Sequence, residues 1–369
     1  MKRYIFVGGF GEGGKDGSTG GQTTACRSLI ASPLSHHIEW RLIDTTGDSI
    51  PPPPAHRRAI RAWRRLLELA RSLAFHHVDG ALIFTGAAPS FLEKGLMAMA
   101  AKRAGKRVVL CPRSGLLVDA IERSPAMRGY VRRVLSHCDA VVCQSESWQR
   151  LFGDLSGLPK KRLPILSNWI DTSPYGELIA ARGDGASSSG QMRFLYLGAL
   201  EPYKGILDLV AAAKRVAREI PEATFTVCGD GSAMIEVRAR IADGGLDDRF
   251  DFRGWVGGRE KLRALGEADV LVLPSHREGM PNAVLEAMAS GVAVVASAVG
   301  GVPDLLAGGE LGMCVPAKDP HALGEAMVAL ARDPQRRRVL AQRAADRIAA
   351  HHDIATVWPR MLAILDPPG

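Results

Sequence analysis

The chain has 369 residues, of which 46% are apolar and 23% charged, and its formal net charge is +8. This composition excludes a disordered chain, and the length exceeds what one hydrophobic core usually serves, so we expect two domains. The charge is uneven: residues 1–185 hold 26 Lys and Arg against 16 Asp and Glu, whereas residues 186–369 hold 21 against 23.

Short apolar runs alternate with helical patterns along the whole chain. In the first half the pattern predicts strands at 3–9, 39–44, 80–86, 107–112 and 140–145, with helices at about 22–31, 56–75, 90–103 and 127–136. In the second half it predicts strands at 193–200, 224–230, 251–256, 270–275, 292–297 and 313–316. Continuous Val/Leu/Ile runs separated by helices indicate parallel sheets built from βαβ units. The predicted fold is α/β, with two doubly wound domains joined near the Gly/Ser-rich segment 181–191 and facing a cleft at the carboxyl ends of their strands.

The chain begins with too short an apolar run for a signal peptide, and no stretch approaches the roughly 20 apolar residues of a membrane span. The six cysteines show no CxxC pair and no spacing typical of zinc; they are Cys26, Cys111, Cys138, Cys143, Cys228 and Cys314. We therefore expect a reduced, cytoplasmic protein without a structural metal.

After the first strand comes the glycine-rich stretch GGFGEGGKDGSTGGQTT. Its GFGEGGK portion nearly matches the spacing of a P-loop, but Asp16 stands where the Mg²⁺-binding hydroxyl is needed. Two interpretations remain. Gly20 and Gly21 open a helix whose N–H groups meet a phosphate, or the stretch is a surface loop.

A basic amphipathic helix is predicted within residues 56–77. At 100° per residue, six arginines share one arc and five apolar residues lie roughly opposite. The arginines are Arg57, Arg58, Arg61, Arg64, Arg65 and Arg71, and the apolar residues are Ile60, Trp63, Leu67, Ala70 and Ala74. Either the apolar side docks on a sheet and the basic side is solvated, or the basic side contacts anionic lipid head groups or an acidic substrate. No nucleic-acid-binding motif accompanies the helix, so we expect no nucleic acid partner.

Strand-to-helix turns in the second half carry candidate ligand-binding residues. In LGALEPYKG, Lys204 lies between Pro202 and Gly205, where its ammonium group either neutralises a phosphate or stays solvated. The stretches CGDG and FRGWV repeat the pattern of a strand that ends in a glycine turn. Three such turns at one sheet edge would form the floor of a binding site.

The stretch HREGMPNAVLEAMASG holds two glutamates eight positions apart. Glu278 precedes a helix that we expect to start with Asn282 as its N-cap and to stop at Gly291, and Glu286 lies within that helix. Because a carboxylate accepts two hydrogen bonds well, Glu286 suits a ribose diol and Glu278 suits sugar hydroxyls. The N–H groups at the helix start suit a diphosphate.

Taken together, these motifs resemble the signature of the retaining nucleotide-sugar glycosyltransferases of family 4, which have the GT-B fold of two Rossmann-like domains. The resemblance rests on the paired glutamates with AMASGVAVVASAVGGVPDLL after them, on LGALEPYKG, CGDG and FRGWV, and on ADVLVLPS. It covers most of residues 193–310. In the first half GSTGGQTT resembles the first glycine loop of the family, and ILSNWID resembles the segment that links its domains.

The resemblance implies that Lys204 binds the donor diphosphate, that Glu278 binds the transferred sugar, and that these two residues carry catalysis, while Glu286 holds the ribose. The other substrate-binding residues that it implies are Gly20, Gly21, Gly198, Val256, Met280, Pro281 and Asn282. The donor would be a nucleoside diphosphate sugar, UDP or GDP, used without cofactor or metal, and the acceptor a glycan or lipid-linked molecule of cell-surface polysaccharide or glycolipid synthesis. The domains would be 1–170, on the acceptor side, and 171–352, on the donor side. A C-terminal helix at about 353–366 would return to the first domain.

The chain departs from the family pattern at two positions. Ala199 stands where many members have an arginine that completes the cationic clamp, and Arg277 and Lys15 are the candidates to compensate. Arg113 stands where members commonly have a histidine near the sugar; it binds an anionic acceptor, assists the phosphate, or is a structural loop arginine. Two alternative functions stay open. One is a nucleotide-sugar epimerase of the same fold, which would need no acceptor substrate; the other, which the two departures make conceivable, is a sugar-nucleotide-binding protein without catalysis.

Overall fold

The computed structural model describes residues 1–11, 21–46, 54–182 and 190–367. The chain divides into two compact units, one formed by Met1–Trp169 with Ile354–Gly369 and the other by Ile170–Asp353. Each unit contains a parallel sheet with helices packed on it. The predicted α/β fold with two Rossmann-like parallel-sheet domains is therefore confirmed.

The first unit is built on a five-stranded sheet. Its strands are β1 (Lys2–Gly8), β2 (Ile38–Asp44), β3 (Gly80–Thr85), β4 (Arg107–Pro112) and β5 (Ala140–Val141). They lie in the order β2-β1-β3-β4-β5, and every pair is parallel. Residues 4–8 of β1 are all buried, because side chains on both faces of this central strand are covered.

Between Gly21 and Ser156 the described part of the first unit has six α-helices, four of which the sequence predicted. They are α1 (Gly21–Ala31), α2 (Ala55–Phe75), α3 (Ala88–Arg103), α4 (Gly115–Arg123), α5 (Pro125–His137) and α6 (Glu146–Ser156). The unpredicted ones are α4 and α6. The start and end of α6 were readable, since the Ser145 hydroxyl accepts a hydrogen bond from the Trp148 N–H and Gly157 takes a left-handed conformation at its end.

The second unit is built on a six-stranded parallel sheet. Its strands are β6 (Met192–Leu197), β7 (Ala223–Cys228), β8 (Phe250–Gly254), β9 (Val270–Leu273), β10 (Ala293–Ser297) and β11 (Met313–Val315), in the order β11-β10-β9-β6-β7-β8. Its helices are α7 (Gly176–Arg182), α8 (Ile206–Glu219), α9 (Met234–Asp243), α10 (Gly258–Glu267), α11 (Asn282–Ala289), α12 (Val302–Leu305), α13 (Pro320–Arg332) and α14 (Pro334–His351).

The last helix, α15 (Ile354–Leu365), belongs to the first unit. The Tyr4 hydroxyl of β1 donates to the Leu365 carbonyl at 2.5 Å, and Val357 and Met361 lie in the same apolar cluster as Phe6 and Trp169. The chain therefore leaves the first unit after Trp169 and returns to it at its end.

Both sheets have a point where the strand order reverses. In the first, β1 lies between β2 and β3, and in the second, β6 lies between β7 and β9. At such a point the connections leave the carboxyl ends of adjacent strands in opposite directions and open a crevice, which is where doubly wound sheets bind ligands.

The packing of α2 corrects the predicted orientation of its apolar stripe. Ile60, Trp63 and Leu67 are 52%, 62% and 39% exposed, so they do not dock on the sheet. The buried side of α2 instead centres on Leu69 and on Ser72, whose hydroxyl accepts a hydrogen bond from Arg41 Nε of β2 at 2.7 Å. The interpretation that the stripe packs inward was wrong because α2 meets the sheet through a narrower face that includes a polar contact.

None of the helices in the described parts of the chain is long and apolar enough to cross a membrane. All six cysteines lie in those parts and none is paired in a disulfide.

Candidate functional site

The carboxyl ends of β6 and β9, which are adjacent strands, bring two predicted residues into contact. Lys204, in the connection after β6, donates from Nζ to Oε1 of Glu278, in the connection after β9, at 2.8 Å. The Ser275 hydroxyl donates to the same carboxylate oxygen at 2.7 Å. The side chains of Lys204 and Glu278 are 22% and 8% exposed, so the pair is largely removed from water.

A glycine makes this contact possible. Gly205 has φ +68°, and a Cβ atom on it would lie 1.9 Å from the Pro274 carbonyl oxygen. The backbone after β6 therefore lies directly against the backbone after β9, and the His276 N–H donates to the Tyr203 carbonyl at 2.9 Å. Any side chain at position 205 would push Lys204 away from Glu278.

The connections after β6 and β7 also pack closely. A Cβ atom on Gly229, at φ +153°, would lie 1.8 Å from the carbonyl oxygen of the predicted Gly198, and the Leu200 N–H donates to the Asp230 carbonyl at 2.9 Å. The carbonyl of Ala199 accepts a hydrogen bond from the Tyr196 hydroxyl at 2.8 Å. Burial, together with the nearby Glu278 carboxylate, raises the pKa of Tyr196 well above its usual range.

Glu286 lies in α11 and is paired with a residue that the sequence analysis missed. Lys261 of α10 donates from Nζ to Glu286 Oε1 at 2.7 Å, and the two side chains are 25% and 7% exposed. Burial, and then the charge of Glu286, raise the pKa of Tyr175 above its usual range. No sequence signal marked Lys261, because it lies within a polar helix whose orientation depends on the packing of the unit.

The turn before α11 holds the other predicted residues of this unit. Met280 and Pro281 are buried, and Val256, after β8, packs against the same apolar cluster as Met280. Asn282 is the first residue of α11, not its N-cap; Pro281 occupies that position and makes no side-chain capping hydrogen bond. The predicted cap is thus wrong by one residue.

The turn is fixed to the start of α8 by a polar contact. His276 Nε2 lies 2.7 Å from Asp208 Oδ2, and both side chains are about four-fifths buried. The His276 ring therefore holds the β9 connection beside the helix that follows Lys204.

In the first unit, Arg113 directly follows β4. Its guanidinium carbon lies 4.9 Å from the ring centroid of Phe84 and 4.3 Å from that of Trp169. Although the residue as a whole is only half-buried, its terminal nitrogens Nη1 and Nη2 are shielded from solvent and have no hydrogen-bond partner among the described residues. Burial lowers the pKa of Arg113 to about 10.

The structure thus brings Lys204 and Glu278 together and gives Glu286 a separate partner. Gly21 is the first residue of α1 and is exposed, whereas Gly20 and Lys15 lie outside the described residues. The donor-side roles of Gly21, Gly198, Val256, Met280, Pro281 and Asn282 stay predictions. Within the described residues no three His, Cys, Asp or Glu side chains are grouped as a metal site would require.

Two family models match consecutive parts of the chain. The model for "Glycosyltransferase Family 4" matches residues 30–174, and the model for "Glycosyl transferases group 1" matches residues 191–333. Together they cover well over half of its length. The chain belongs to the group 1, family 4 glycosyltransferases.

Individual relatives of this chain are distant. Glycogen synthase of Mycobacterium tuberculosis is 29% identical over 219 residues, which are 59% of this chain and 52% of the relative. The match therefore spans about half the length of that curated relative.

Among solved structures, HepE of Anabaena in complex with UDP aligns with a TM-score of 0.73 at 18% identity, covering 99% of both chains. Sucrose-phosphate synthase of Thermosynechococcus elongatus aligns with a TM-score of 0.78 at 20% identity, covering 99% of this chain and 98% of the other. These likenesses confirm the GT-B fold class that the sequence predicted.

Proposed function

We propose that this family member is a retaining, metal-independent glycosyltransferase that moves a hexosyl group from a nucleoside diphosphate sugar to a glycan or lipid-linked acceptor. The observation that carries the proposal is the contact between Lys204 and Glu278 at the point where the strand order of the second sheet reverses. UDP or GDP is the proposed nucleotide, and the UDP bound in the HepE structure supports the first of these. Cell-surface polysaccharide or glycolipid synthesis is the proposed context.

The paired residues have complementary tasks in this proposal. The Lys204 ammonium group lies where it can leave Glu278 and neutralise the diphosphate of an arriving donor. Glu278 is then free to accept hydrogen bonds from the hydroxyls of the transferred sugar. Glu286, paired with Lys261, is proposed to accept from the ribose hydroxyls in the same way.

The reaction that follows breaks the bond between the anomeric carbon of the sugar and the terminal phosphate oxygen. The bonding electrons go to the phosphate, where Lys204 stabilises the developing charge. The acceptor oxygen forms the new bond to the same face of the anomeric carbon, and its proton passes to the departing diphosphate. The configuration at the anomeric carbon is thereby retained.

The test is a transfer assay with UDP- and GDP-sugars, followed by NMR of the anomeric centre in the product and run with and without a chelator. We expect retained configuration and a rate that the chelator does not change. Inverted configuration would contradict the retaining mechanism. Absence of both transfer and donor hydrolysis, for every sugar tried, would contradict the enzymatic function.

We also infer that α2 contacts an anionic membrane surface. The packing of α2 supports this inference, because the apolar side chains of Ile60, Trp63 and Leu67 are exposed on a helix rich in exposed arginines. A Trp with aliphatic neighbours enters the head-group region, and arginines beside it attract anionic lipid. The exposed arginines nearest in helical angle to this stripe are Arg57, Arg64 and Arg71.

Co-sedimentation with vesicles checks this surface. We expect binding to phosphatidylcholine vesicles that contain phosphatidylglycerol and much weaker binding to phosphatidylcholine alone. Trp63→Ala should weaken binding, and each Arg64→Gln or Arg71→Gln change should weaken it about fivefold, near 1 kcal/mol per charge. Ile235→Ala, at an 84% exposed apolar residue of the second unit, is the control. Equal binding to both vesicle types would contradict the inference.

A further inference from the structure

Arg113, at the carboxyl edge of the first unit's sheet, has no carboxylate partner among the described residues. The groups that contribute to its pKa besides burial are the thiols of Cys111 and Cys26, and no carboxylate is among them. Two donor nitrogens are shielded from solvent without a partner. Leaving two buried donor nitrogens of a guanidinium without an acceptor is destabilising, so an acceptor supplied by a ligand would stabilise this edge.

Two aromatic rings pack against the guanidinium of Arg113. Phe84 and Trp169, both fully buried, lie against the guanidinium at 4.9 and 4.3 Å, and Trp169 is in turn held by a hydrogen bond from its indole N–H to the Ser28 hydroxyl at 3.0 Å. Contacts with aromatic rings satisfy the charge only in part and accept no hydrogen bond through the terminal nitrogens. The terminal N–H groups of Arg113 can still donate hydrogen bonds. Their forked geometry matches two oxygens of a carboxylate or phosphate.

A second unsatisfied polar atom lies on the neighbouring strand connection. Gln144 follows β5, the strand beside β4, and its side chain is 1% exposed. Its Nε2 donates to Asn168 Oδ1, next in sequence to Trp169, whereas its Oε1 has no partner among the described residues. Adjacent strands are about 5 Å apart, so the ends of β4 and β5 place a cation and a hydrogen-bond acceptor at one edge.

We propose that Arg113 and Gln144 form a subsite for an anionic acceptor, with Arg113 taking a carboxylate or phosphate group and Gln144 Oε1 accepting from a neighbouring hydroxyl. The assignment to the acceptor rests on the proposed glycosyl transfer, whereas the binding of an oxyanion does not. The donor diphosphate is the other source of such a group, and the experiment separates the two.

The test uses calorimetric titration of the full chain with inorganic phosphate and with succinate, each in the presence of saturating UDP so that a donor site is already filled. We expect saturable binding of at least one anion to the wild type and a dissociation constant at least tenfold higher in Arg113→Met. Arg123→Met, at an exposed arginine of the same unit, should bind as the wild type does. UDP affinity, measured alone, should change less than twofold in Arg113→Met.

Two kinds of result overturn the proposal, and a third bears only on the proposed function. Absence of saturable anion binding to the wild type, or equal binding to Arg113→Met, would exclude the oxyanion subsite. Loss of UDP binding in Arg113→Met would assign the group to the donor diphosphate instead of the acceptor. Failure of the wild type to bind any nucleoside diphosphate would contradict the proposed function without touching the anion titration, which is then repeated without UDP.

Folding of the variant supplies an independent readout. Because Arg113→Met removes a buried charge that lacks a hydrogen-bond partner, we expect its melting temperature without ligand to be no lower than that of the wild type. Arg113→Lys keeps the charge and loses the fork, so it should also bind the anion at least tenfold more weakly. Full anion affinity in Arg113→Lys would contradict the two-oxygen geometry.

Discussion

The carboxyl edges of the two sheets differ in how their charges are balanced. At the edge of the second sheet Glu278 is paired with Lys204, and Glu286, in the following helix, with Lys261, at 2.8 and 2.7 Å. At the edge of the first sheet Arg113 has two shielded nitrogens without a hydrogen-bond partner among the described residues. Among the described residues, the glutamates of the second edge have cationic partners without a ligand, whereas Arg113 of the first edge has no anionic one.

This difference has an energetic meaning. A ligand at the second edge must replace existing ion pairs, so the net gain is the difference between two sets of charged hydrogen bonds and depends strongly on ligand geometry. A ligand at the first edge satisfies a charge that is already desolvated. We therefore expect the second edge to select its ligand closely and the first to bind any anion that fits.

The largest effect is expected from the glycine that brings the second edge together. Gly205→Ala places a Cβ atom 1.9 Å from the Pro274 carbonyl oxygen at φ +68°, and we expect it to lower the free energy of unfolding by more than about 4 kcal/mol. Gly245→Ala is the matched control, since Gly245 has φ +62° with nothing within 4 Å, and should cost only about 1 kcal/mol. Urea unfolding measures both, and equal losses would show that conformation, not contact with Pro274, dominates.

Next in size is the loss of the cation at the second edge. Lys204→Ala should lower kcat of sugar transfer about 10²–10³-fold, because the leaving diphosphate loses a preorganised positive charge. It also leaves the Glu278 carboxylate, 8% exposed, without its ammonium partner. Steady-state kinetics with the accepted donor measure the effect. A variant with an unchanged kcat would exclude Lys204 from the chemistry.

Lys94 tests the cost of a second buried positive charge in the first unit. It is 5% exposed, and burial lowers its pKa from 10.5 to about 8. Below pH 8 the folded protein must hold the buried ammonium group, which costs about 3 kcal/mol; between pH 8 and 10.5 the folded form loses its proton before the unfolded one, so stability rises with pH.

Lys94→Met should therefore raise the free energy of unfolding at pH 7 by up to about 3 kcal/mol, and this gain should shrink as the pH rises from 8 to 10.5. Unfolding measured across that range gives the slope. Lys161→Met, at an exposed lysine of the same unit, should change stability little and without pH dependence. A gain that stays constant with pH would show that packing, not charge, limits the site.

The smallest expected effect is on nucleotide affinity, and it distinguishes the proposed roles of Glu278 and Glu286. Glu286→Gln should weaken UDP or GDP binding about tenfold, since hydrogen bonds to a charged group exceed neutral ones by about 1.4 kcal/mol. Glu278→Gln should leave nucleotide affinity within about twofold, because Glu278 is proposed to face the sugar. Calorimetry with the nucleotide alone measures both. The reverse ranking would exchange the proposed roles of the two carboxylates.

Sequence patterns predicted the features that depend on residues close together in the chain. All eleven strands in the described part of the chain were predicted, because buried parallel strands are continuous apolar runs. Lys204 and Glu278 were identified because both follow such strands. The contact between them was not predictable, since it depends on β6 and β9 being neighbours. Lys261 was missed because the orientation of its helix, α10, depends on the packing of the unit.

The first unit shows a different limit. Helical periodicity correctly placed the apolar side chains of α2 on one side of the helix. It could not tell which side of α2 would meet the sheet, and the side with Leu69 and Ser72 does so. Arg113 was singled out as a departure from a family pattern. Its shielded nitrogens follow from Phe84 and Trp169, which come from distant parts of the sequence.

Thermal unfolding with a panel of UDP-, GDP- and ADP-sugars tests most directly the claim that the edge of the second sheet binds a nucleoside diphosphate sugar. We expect at least one donor to stabilise the wild type, by about 2.7 kcal/mol at 100 times its dissociation constant. This stabilisation should be lost in Lys204→Ala and retained in Arg113→Met. Stabilisation by no donor, or stabilisation that persists in Lys204→Ala, would contradict the account.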